Sequence, residues 1–396
     1  MRLLLINYEY PPLGGGGGVA HRDLAEAFAA RNEVTILTTH FRGLPKAEVV
    51  NGVRIIRVPV WGRCQMPVAT LRSMATFVPS ALLAGLRATN KTRPDLIHAL
   101  FAVPSGLPAV LLGRLRRIPV VLTLIGADIF DPNPTAGIAA HRNPVVRAVV
   151  RWVIRHADAV TAISEDTKRR AILYHRAPNN LAVIPLGLVP PAVLPPVTAS
   201  HGAPWRLVTV GRLIPRKAHK DLLEALALLK RKDVHLHVMG DGPLLHPLEG
   251  TAERLGVRPQ VTFEGAVTED RKWQLLRAAD LFVSASLHEG FGIVFLEAMY
   301  AGLPIVCTDQ GGQTDILRAG ENALFTPPQR SDQLASALRV LLADADLRKR
   351  FAETNRHAMQ SFLIRDIADR YEALFARLTK TVRSTRILVG QLQERP

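Results

Sequence analysis

Short apolar, β-branched runs alternate along this chain with longer stretches whose apolar residues recur every three or four positions, the mark of strands and helices in turn. In the first half the strand-like runs are 2–7, 34–38, 53–58, 96–99, 120–124, 159–163 and 181–184. Helical periodicity fills 21–30, 75–88, 107–115, 144–156 and 165–174 between them. The segment 187–204 breaks the pattern with Pro190, Pro191, Pro195, Pro196 and Pro204 and reads as a linker. The alternation then restarts, with strands at 206–210, 235–239, 260–263, 281–284, 304–308 and 323–325 and helices at 221–230, 244–255, 269–278, 293–301 and 331–343. A charged helical stretch, 347–393, ends the chain. Strands separated by helices predict parallel sheets covered on both faces. The expected domains are 1–186, a linker at 187–204, 205–370, and a C-terminal helical tail, 371–396, returning to the first domain.

Composition narrows the class. With 396 residues, 48% of them hydrophobic, the chain can build two cores and is not disordered. No apolar run approaches the roughly 18 residues of a membrane-spanning helix. The first residues lead into a glycine-rich loop rather than a leader cleavage site, and Cys64 and Cys307 stand far apart. A reducing cytoplasm, with contact at the inner face of a membrane, is therefore the expected setting. The net charge of +16 is uneven: residues 1–200 hold 23 Lys and Arg against 11 Asp and Glu, and residues 201–396 hold 27 against 23. A basic first half implies an anionic partner. Arg147, Arg151 and Arg155, interleaved with valines and Trp152, and the Arg114/Arg116/Arg117 cluster form the expected peripheral contact with an anionic membrane.

The segment from His288 to Met299 carries the chemistry. Glu289 falls in a strand-to-helix loop with Gly290, Phe291 and Gly292; Ile293 opens a helix that contains Glu297. A helix start presents free N–H groups and a positive dipole end to a phosphate. A carboxylate beside it reaches whatever hangs from that phosphate, and a second, two turns on, can accept two hydroxyls of a vicinal diol. Phosphate, sugar and ribose together point to a nucleotide sugar.

This segment resembles the Glu-x7-Glu signature of retaining glycosyltransferase family 4. The resemblance implies a GT-B fold: an α/β chain of two Rossmann-like domains with parallel sheets facing a central cleft that holds the active site. It extends along the chain. Gly211-Arg212-Leu213 through Lys217 resembles the family's Gly-Arg-Leu-x-x-x-Lys-Gly, which implies that Arg212 and Lys217 hold the donor diphosphate; Ala218 replaces the final glycine. Gly15 and Gly16, within Gly14 to Gly18, take the place of the family's Gly-Gly pair, a loop that closes over phosphates. Gly240-Asp241-Gly242-Pro243 matches its Gly-x-Gly-Pro turn, Val267 lies where the base edge is read, and Asp309 to Asp315 matches its Gly-Gly-x-x-Glu loop with Asp315 shortening the acid.

The segment Thr123-Leu124-Ile125-Gly126-Ala127-Asp128 departs from the family's Thr-x-His-Gly-x-Asp, so the acceptor-side candidates are Ile125, Gly126 and Asp128, with no histidine among them. Either the chain works without that histidine or its activity is impaired; a retaining mechanism favours the first, since an acceptor attacking on the leaving group's face can give its proton to a leaving phosphate oxygen. Leu186 likewise replaces the commoner Asn of Ile-Pro-Asn-Gly.

The reading is thus a metal-independent, retaining glycosyltransferase with catalytic Arg212, Lys217 and Glu289. Gly15, Gly16, Gly240, Val267, Gly290, Phe291, Gly292, Ile293 and Glu297 are the donor-binding set. No cofactor or metal is expected, since the histidines form no ligand-spaced cluster. The donor is a nucleotide sugar, the acceptor a hydroxyl compound, a lipid-linked one included, in envelope polysaccharide or glycolipid synthesis. A nucleotide-sugar 2-epimerase of the same fold is the alternative, and then a catalytically silent nucleotide-sugar- or nucleic-acid-binding protein. The last lacks aromatic base-stacking platforms, so no nucleic acid is expected.

Overall fold

The computed structural model describes residues 1–66, 69–132, 140–196 and 203–393. The described residues form two units: one built from 1–66, 69–131, 140–187 and 364–393, the other from Pro132, 188–196 and 203–363.

The first unit holds an eight-stranded sheet: β1 (Arg2–Ile6), β2 (Glu33–Thr39), β3 (Ala47–Val50), β4 (Val53–Val58), β5 (Leu96–Leu100), β6 (Val120–Leu124), β7 (Ala159–Ala162) and β8 (Ala182–Val183), in the order β3-β4-β2-β1-β5-β6-β7-β8. All pairs are parallel except β3 with β4. Between the strands run α1 (Gly16–Ala29), α2 (Leu71–Thr92), α3 (Leu107–Arg116), α4 (Pro144–His156) and α5 (Glu165–His175). Side-chain alternation divides the core. Leu4 and Ile6 point to the cluster under α2, α3 and α4, whereas Leu3 and Leu5 point to the cluster under α1. Several helices begin on side-chain caps: Thr70 with Ser73 forms a capping box on α2, Asn143 caps α4 and Ser164 caps α5.

The second unit holds a six-stranded parallel sheet: β9 (Trp205–Val210), β10 (Val234–Met239), β11 (Val261–Gly265), β12 (Leu281–Ser284), β13 (Ile305–Thr308) and β14 (Ala323–Thr326), ordered β11-β10-β9-β12-β13-β14. Its helices are α6 (His219–Leu229), α7 (Leu245–Arg254), α8 (Glu269–Ala278), α9 (Ile293–Ala301), α10 (Ser331–Ala343) and α11 (Ala345–Met359). β9 and β12 are neighbours in the sheet but not in the sequence, so the strand order reverses between them. In open parallel sheets such a reversal leaves a crevice at the carboxyl ends, where ligands bind.

Three sequence expectations need correction. Residues 47–50 form a strand, β3, that the apolar pattern does not reveal because both its faces are largely exposed. Its signal lies in the turn: Asn51 and Gly52 both have positive φ, as a two-residue hairpin requires. The charged tail is two helices, since the chain bends after α11 and begins α12 (Ile364–Gln393). The return to the first unit therefore starts at Ile364, not at 371. Its cause is apolar: Ile367, Ala368, Tyr371 and Phe375 are buried with Phe28 of α1. Tyr371 also places its hydroxyl 3.1 Å from Thr123 Oγ1, within a buried chain of polar groups that includes His98 and Thr161. Finally, residues 188–196 of the expected linker go with the second unit, where the Pro195 carbonyl accepts Arg277 Nε at 3.0 Å. Residues 197–202 lie outside the described residues.

The buried Phe375 ring yields a direct test of this attachment. Phe375→Ala should destabilise the first unit by about 3–5 kcal/mol, the usual cost of deleting a buried aromatic ring. Urea unfolding followed by circular dichroism measures it; a loss under about 1 kcal/mol would mean that α12 is only loosely attached.

Candidate functional site

Three loops at the carboxyl ends of β9, β12 and β13 meet around one carboxylate, that of Glu289. Lys217 Nζ donates to Glu289 Oε1 at 2.5 Å, and Arg216 Nη1 donates to Glu289 Oε2 at 3.1 Å and to the His288 carbonyl at 2.6 Å. Both cations come from the loop after β9, where a 3-10 turn, Pro215–Lys217, ends at Ala218. Ala218 has φ 47 and ψ 38, a left-handed conformation that costs a non-glycine residue roughly 1 kcal/mol. That conformation explains the glycine expected there, and it ends the 3-10 turn that presents Lys217.

The third loop fixes the carboxylate from behind. Gly312 N–H donates to the Glu289 carbonyl at 2.8 Å, and Glu289 N–H to the Gln310 carbonyl at 3.3 Å. At Gly311, φ is 123 and a Cβ would lie 2.1 Å from the Glu289 carbonyl oxygen, so only glycine fits. Gly240 does similar work on the first loop. Its φ is 137, and a Cβ would lie 2.0 Å from the Gly211 carbonyl oxygen. Thus the Gly240–Pro243 turn braces the loop that carries the cations, with Leu213 N–H donating to the Asp241 carbonyl at 2.9 Å.

The electrostatics follow from burial. Burial alone would raise the Glu289 carboxyl, but Lys217 and then Arg216 outweigh it and hold it down to about 2. Lys217 moves down as well: burial comes first, Glu289 pulls it back up, and Arg216 and Arg212 push it down again. The two partners of one ion pair thus shift in a way that favours the carboxylate's charge and penalises the ammonium's. The asymmetry has a physical cause, because Glu289 faces two cations while Lys217 faces one anion and two cations. Burial, then Lys217, lowers the neighbouring His219 to about 4, so it adds no charge near neutral pH. The cluster therefore carries a surplus of positive charge in a largely desolvated place.

Glu297 lies on α9, buried, with Lys272 Nζ of α8 at 2.6 Å from its Oε1. Lys272 also holds Glu269 at 2.8 Å. Burial would lower the Lys272 ammonium, yet Glu297 and Glu269 raise it on balance. Between the two glutamates, Gly292 begins α9 without a side chain to cap it, and the first turn contains no acid. The start of α9 therefore presents backbone N–H groups and a positive dipole end with no side-chain cap. Gly290 and Ile293 are half-buried beside it, and Val267 is half-buried in the loop after β11.

The remaining expected residues fall as follows. Arg212 is exposed and makes no ion pair among the described residues. Phe291 is buried, its ring 6.3 Å from that of Phe362, so it offers a ligand backbone rather than ring. In the first unit Gly15 N–H donates to Glu9 Oε2 at 3.2 Å, and Gly16 starts α1 with open space where a Cβ would stand. Ile125 lies against the same loop: a Cβ on Gly17 would meet its Cδ1 at 2.7 Å. Asp128 is buried, its two oxygens accepting Ala102 N–H at 2.7 Å and Ile125 N–H at 3.1 Å. Burial raises its carboxyl to about 6 in spite of those N–H groups. Gly126, with φ 96, makes the turn between Ile125 and Asp128. Asp128 is thus a brace for its loop.

Sequence reasoning missed Arg216 and Lys272. Arg216 stands next to Lys217 in the very segment singled out, so its position was a signal; Lys272 is brought to Glu297 by tertiary packing alone. Among the described residues no group of three or more His, Cys, Asp and Glu is placed to hold a metal ion.

The chain matches two family models, a glycosyl transferase 4-like domain over residues 15–187 and glycosyl transferases group 1 over residues 194–358. It is 28% identical over 380 residues to a glycogen synthase of Mycobacterium tuberculosis, covering 91% of each chain. A GDP-mannose-dependent alpha-(1-6)-phosphatidylinositol monomannoside mannosyltransferase of the same organism is 31% identical over 220 residues, 51% of this chain and 57% of that one. Among solved structures, the sucrose-phosphate synthase of Thermosynechococcus elongatus superposes with a TM-score of 0.80 at 22% identity, covering 96% of this chain and 100% of that one. Two parallel-sheet units, a carboxylate pair spaced across the start of α9 and these matches together assign the chain to the family 4-type glycosyltransferases of GT-B fold, enzymes that transfer sugar from a nucleotide-sugar donor.

Proposed function

We propose that the protein is a retaining, metal-independent hexosyltransferase of envelope polysaccharide or glycolipid synthesis, with a hydroxyl acceptor. The observation that carries this reading is the surplus positive charge of the Arg216–Lys217–Glu289 cluster. A buried ammonium with more cations than anions around it is destabilised until an anion arrives. A diphosphate, seated between Lys217, Arg212 and the start of α9, supplies that anion.

In the proposed step the bond between the sugar's anomeric carbon and the diphosphate oxygen breaks, and the acceptor oxygen bonds to the same face of that carbon. The acceptor's proton passes to the departing phosphate oxygen, so Ile125 needs no basic replacement. Negative charge grows on the leaving diphosphate, where Lys217 and Arg212 stabilise it more in the transition state than in the ground state. Glu289 holds Lys217 and Arg216 in place, and its remaining lone pairs face the sugar hydroxyls. Glu297, fixed by Lys272, accepts the ribose diol. The mannosyltransferase relative, whose name specifies GDP-mannose and a phosphatidylinositol glycolipid, supports a glycolipid acceptor without fixing base or sugar.

The reading is tested by product analysis with nucleotide-sugar donors in the presence of a chelator. Proton NMR should show that the new glycosidic bond keeps the donor's anomeric configuration, with the rate unchanged by the chelator. An inverted product, or loss of turnover restored by a divalent cation, would overturn it.

The same account predicts that Lys217→Ala and Arg212→Ala each lower kcat by at least about a hundredfold, the scale on which a charge-stabilising donor acts. Steady-state kinetics on the folded variants decide it; near-wild-type turnover in both would remove the diphosphate role from this loop.

A further inference from the structure

The basic excess of the first unit has a face. α2 packs on α3 and α3 on α4, forming one helical layer. None of these three helices contains an aspartate or glutamate, and together they carry eight lysines and arginines, whereas α5, which continues the layer beside α4, carries Glu165 and Asp166. Solvated protein surfaces ordinarily intersperse both signs. The helices on the other side of the sheet do so: α1 contains Asp23 and Glu26, and Arg31, just after it, pairs with Asp369 and Glu372 of α12.

Within this layer α2 has an unusual outward stripe. Ala75, Pro79 and Leu83 are exposed, Leu83 at 58%, with Arg72 at one end and Arg87 and Lys91 at the other. Beside the stripe, between α2 and the β3–β4 hairpin, lies a groove of about 500 Å³. Ile56, Val58 and Ala84 line it, and Lys46, Arg54, Arg87 and Lys91 stand around it. None of these four cations makes an ion pair among the described residues, and Glu48, the nearby acid on β3, is held by Arg57 at 2.6 Å. Val49, 70% exposed, and Trp61, 74% exposed, extend the apolar surface. Contiguous exposed apolar surface marks a docking site, and tryptophan favours the membrane–water boundary.

We propose that this face docks on an anionic lipid bilayer, with α2 along the surface, an acyl segment in the groove and lipid phosphate among the surrounding cations. The chemistry selects this occupant. A free phosphate has no use for the apolar lining, and a nucleic acid, held through its phosphates, would leave the alanine, proline and leucine stripe of α2 and the apolar groove without a partner. The centre of docking is α2 rather than α4, contrary to the sequence expectation. The apolar residues between the α4 arginines are committed to the core: Val150, Val153 and Ile154 are buried, and Trp152 is half-buried against them. Arg151 donates to the Tyr174 carbonyl at 3.0 Å. Val145, in the first turn of α4, is exposed at 71%, but the rest of its large apolar residues are at least half-buried, so α4 contributes mainly charge. Docking is independent of the reaction assigned to the second unit.

Cosedimentation of the full chain with vesicles of phosphatidylcholine, alone or with phosphatidylglycerol, tests this. The protein should bind the acidic vesicles, ignore the neutral ones, and release as salt screens the charges. Arg87→Glu with Lys91→Glu, and separately Leu83→Asp, should each weaken binding at least about tenfold. Lys349→Ser with Arg350→Ser, which removes two exposed charges from the second unit, should leave it unchanged. Millimolar inorganic phosphate should not compete. Circular dichroism checks folding, and Arg87→Gln with Lys91→Gln and Leu83→Ser replace any variant that fails to fold. The proposal is overturned if the wild type ignores acidic vesicles, if the Leu83 variants bind like wild type, or if the Lys349/Arg350 control weakens binding as much.

Discussion

Everything in the second unit's site depends on one buried carboxylate between two cations. Glu289 joins the loop after β12 to the loop after β9 through Lys217 and Arg216, and its own backbone is clasped by the loop after β13. A largely buried ion cluster of this kind is a poor device for stability, because desolvation offsets most of the attraction. Its value is geometric and electrostatic. The pair holds an ammonium in a fixed position, short of counter-charge, at the carboxyl end of the sheet where the strand order reverses. Strongly shifted titratable groups of this kind concentrate at functional sites.

The surrounding backbone is arranged to make that cluster possible. Gly311 and Gly240 allow contacts closer than any side chain tolerates, and Ala218 accepts a left-handed conformation to end the turn that carries Lys217. Lys272 does for Glu297 what Lys217 and Arg216 do for Glu289, so both signature acids are held by cations from other elements. The first unit is organised by a different asymmetry. α1 and α12 carry acids on one side of the sheet, while on the other α2, α3 and α4 have none and acids return only on α5, with Glu165 and Asp166. A net charge read along the sequence is thereby resolved into a surface with a direction.

How much of this the sequence disclosed varies with the physical scale of the signal. Regular alternation exposed nearly every strand and helix, since burial on both faces of a parallel sheet leaves an uninterrupted apolar run. It missed β3, an exposed edge strand, although Asn51-Gly52 carried the hairpin signal. The carboxylate spacing and the loop after β9 were legible because they are local: Glu289, Glu297 and Lys217 stand within short motifs. Arg216 went unassigned because two neighbouring cations look alike until one knows which way each points. Lys272 had no local mark at all, being supplied by packing of α8 against α9. Phe291 and Asp128 show what a motif leaves out: the ring of the one is buried and the carboxylate of the other holds two backbone N–H groups of its own loop. The valines between the α4 arginines were ambiguous for a related reason, because sequence spacing cannot tell an apolar residue facing the core from one facing outward.

The central claim is that Glu289 acts through the cations it holds. A double-mutant cycle measures that coupling directly. Calorimetric binding of a nucleoside diphosphate, UDP and GDP in turn, to the wild type, Lys217→Met, Glu289→Gln and the double variant gives the interaction energy between the two side chains in the presence of ligand. The account predicts a coupling of at least about 1 kcal/mol, with the double variant losing less than the sum of the single losses. Losses that add within about 0.5 kcal/mol would mean that the two residues serve the ligand independently, and would contradict it.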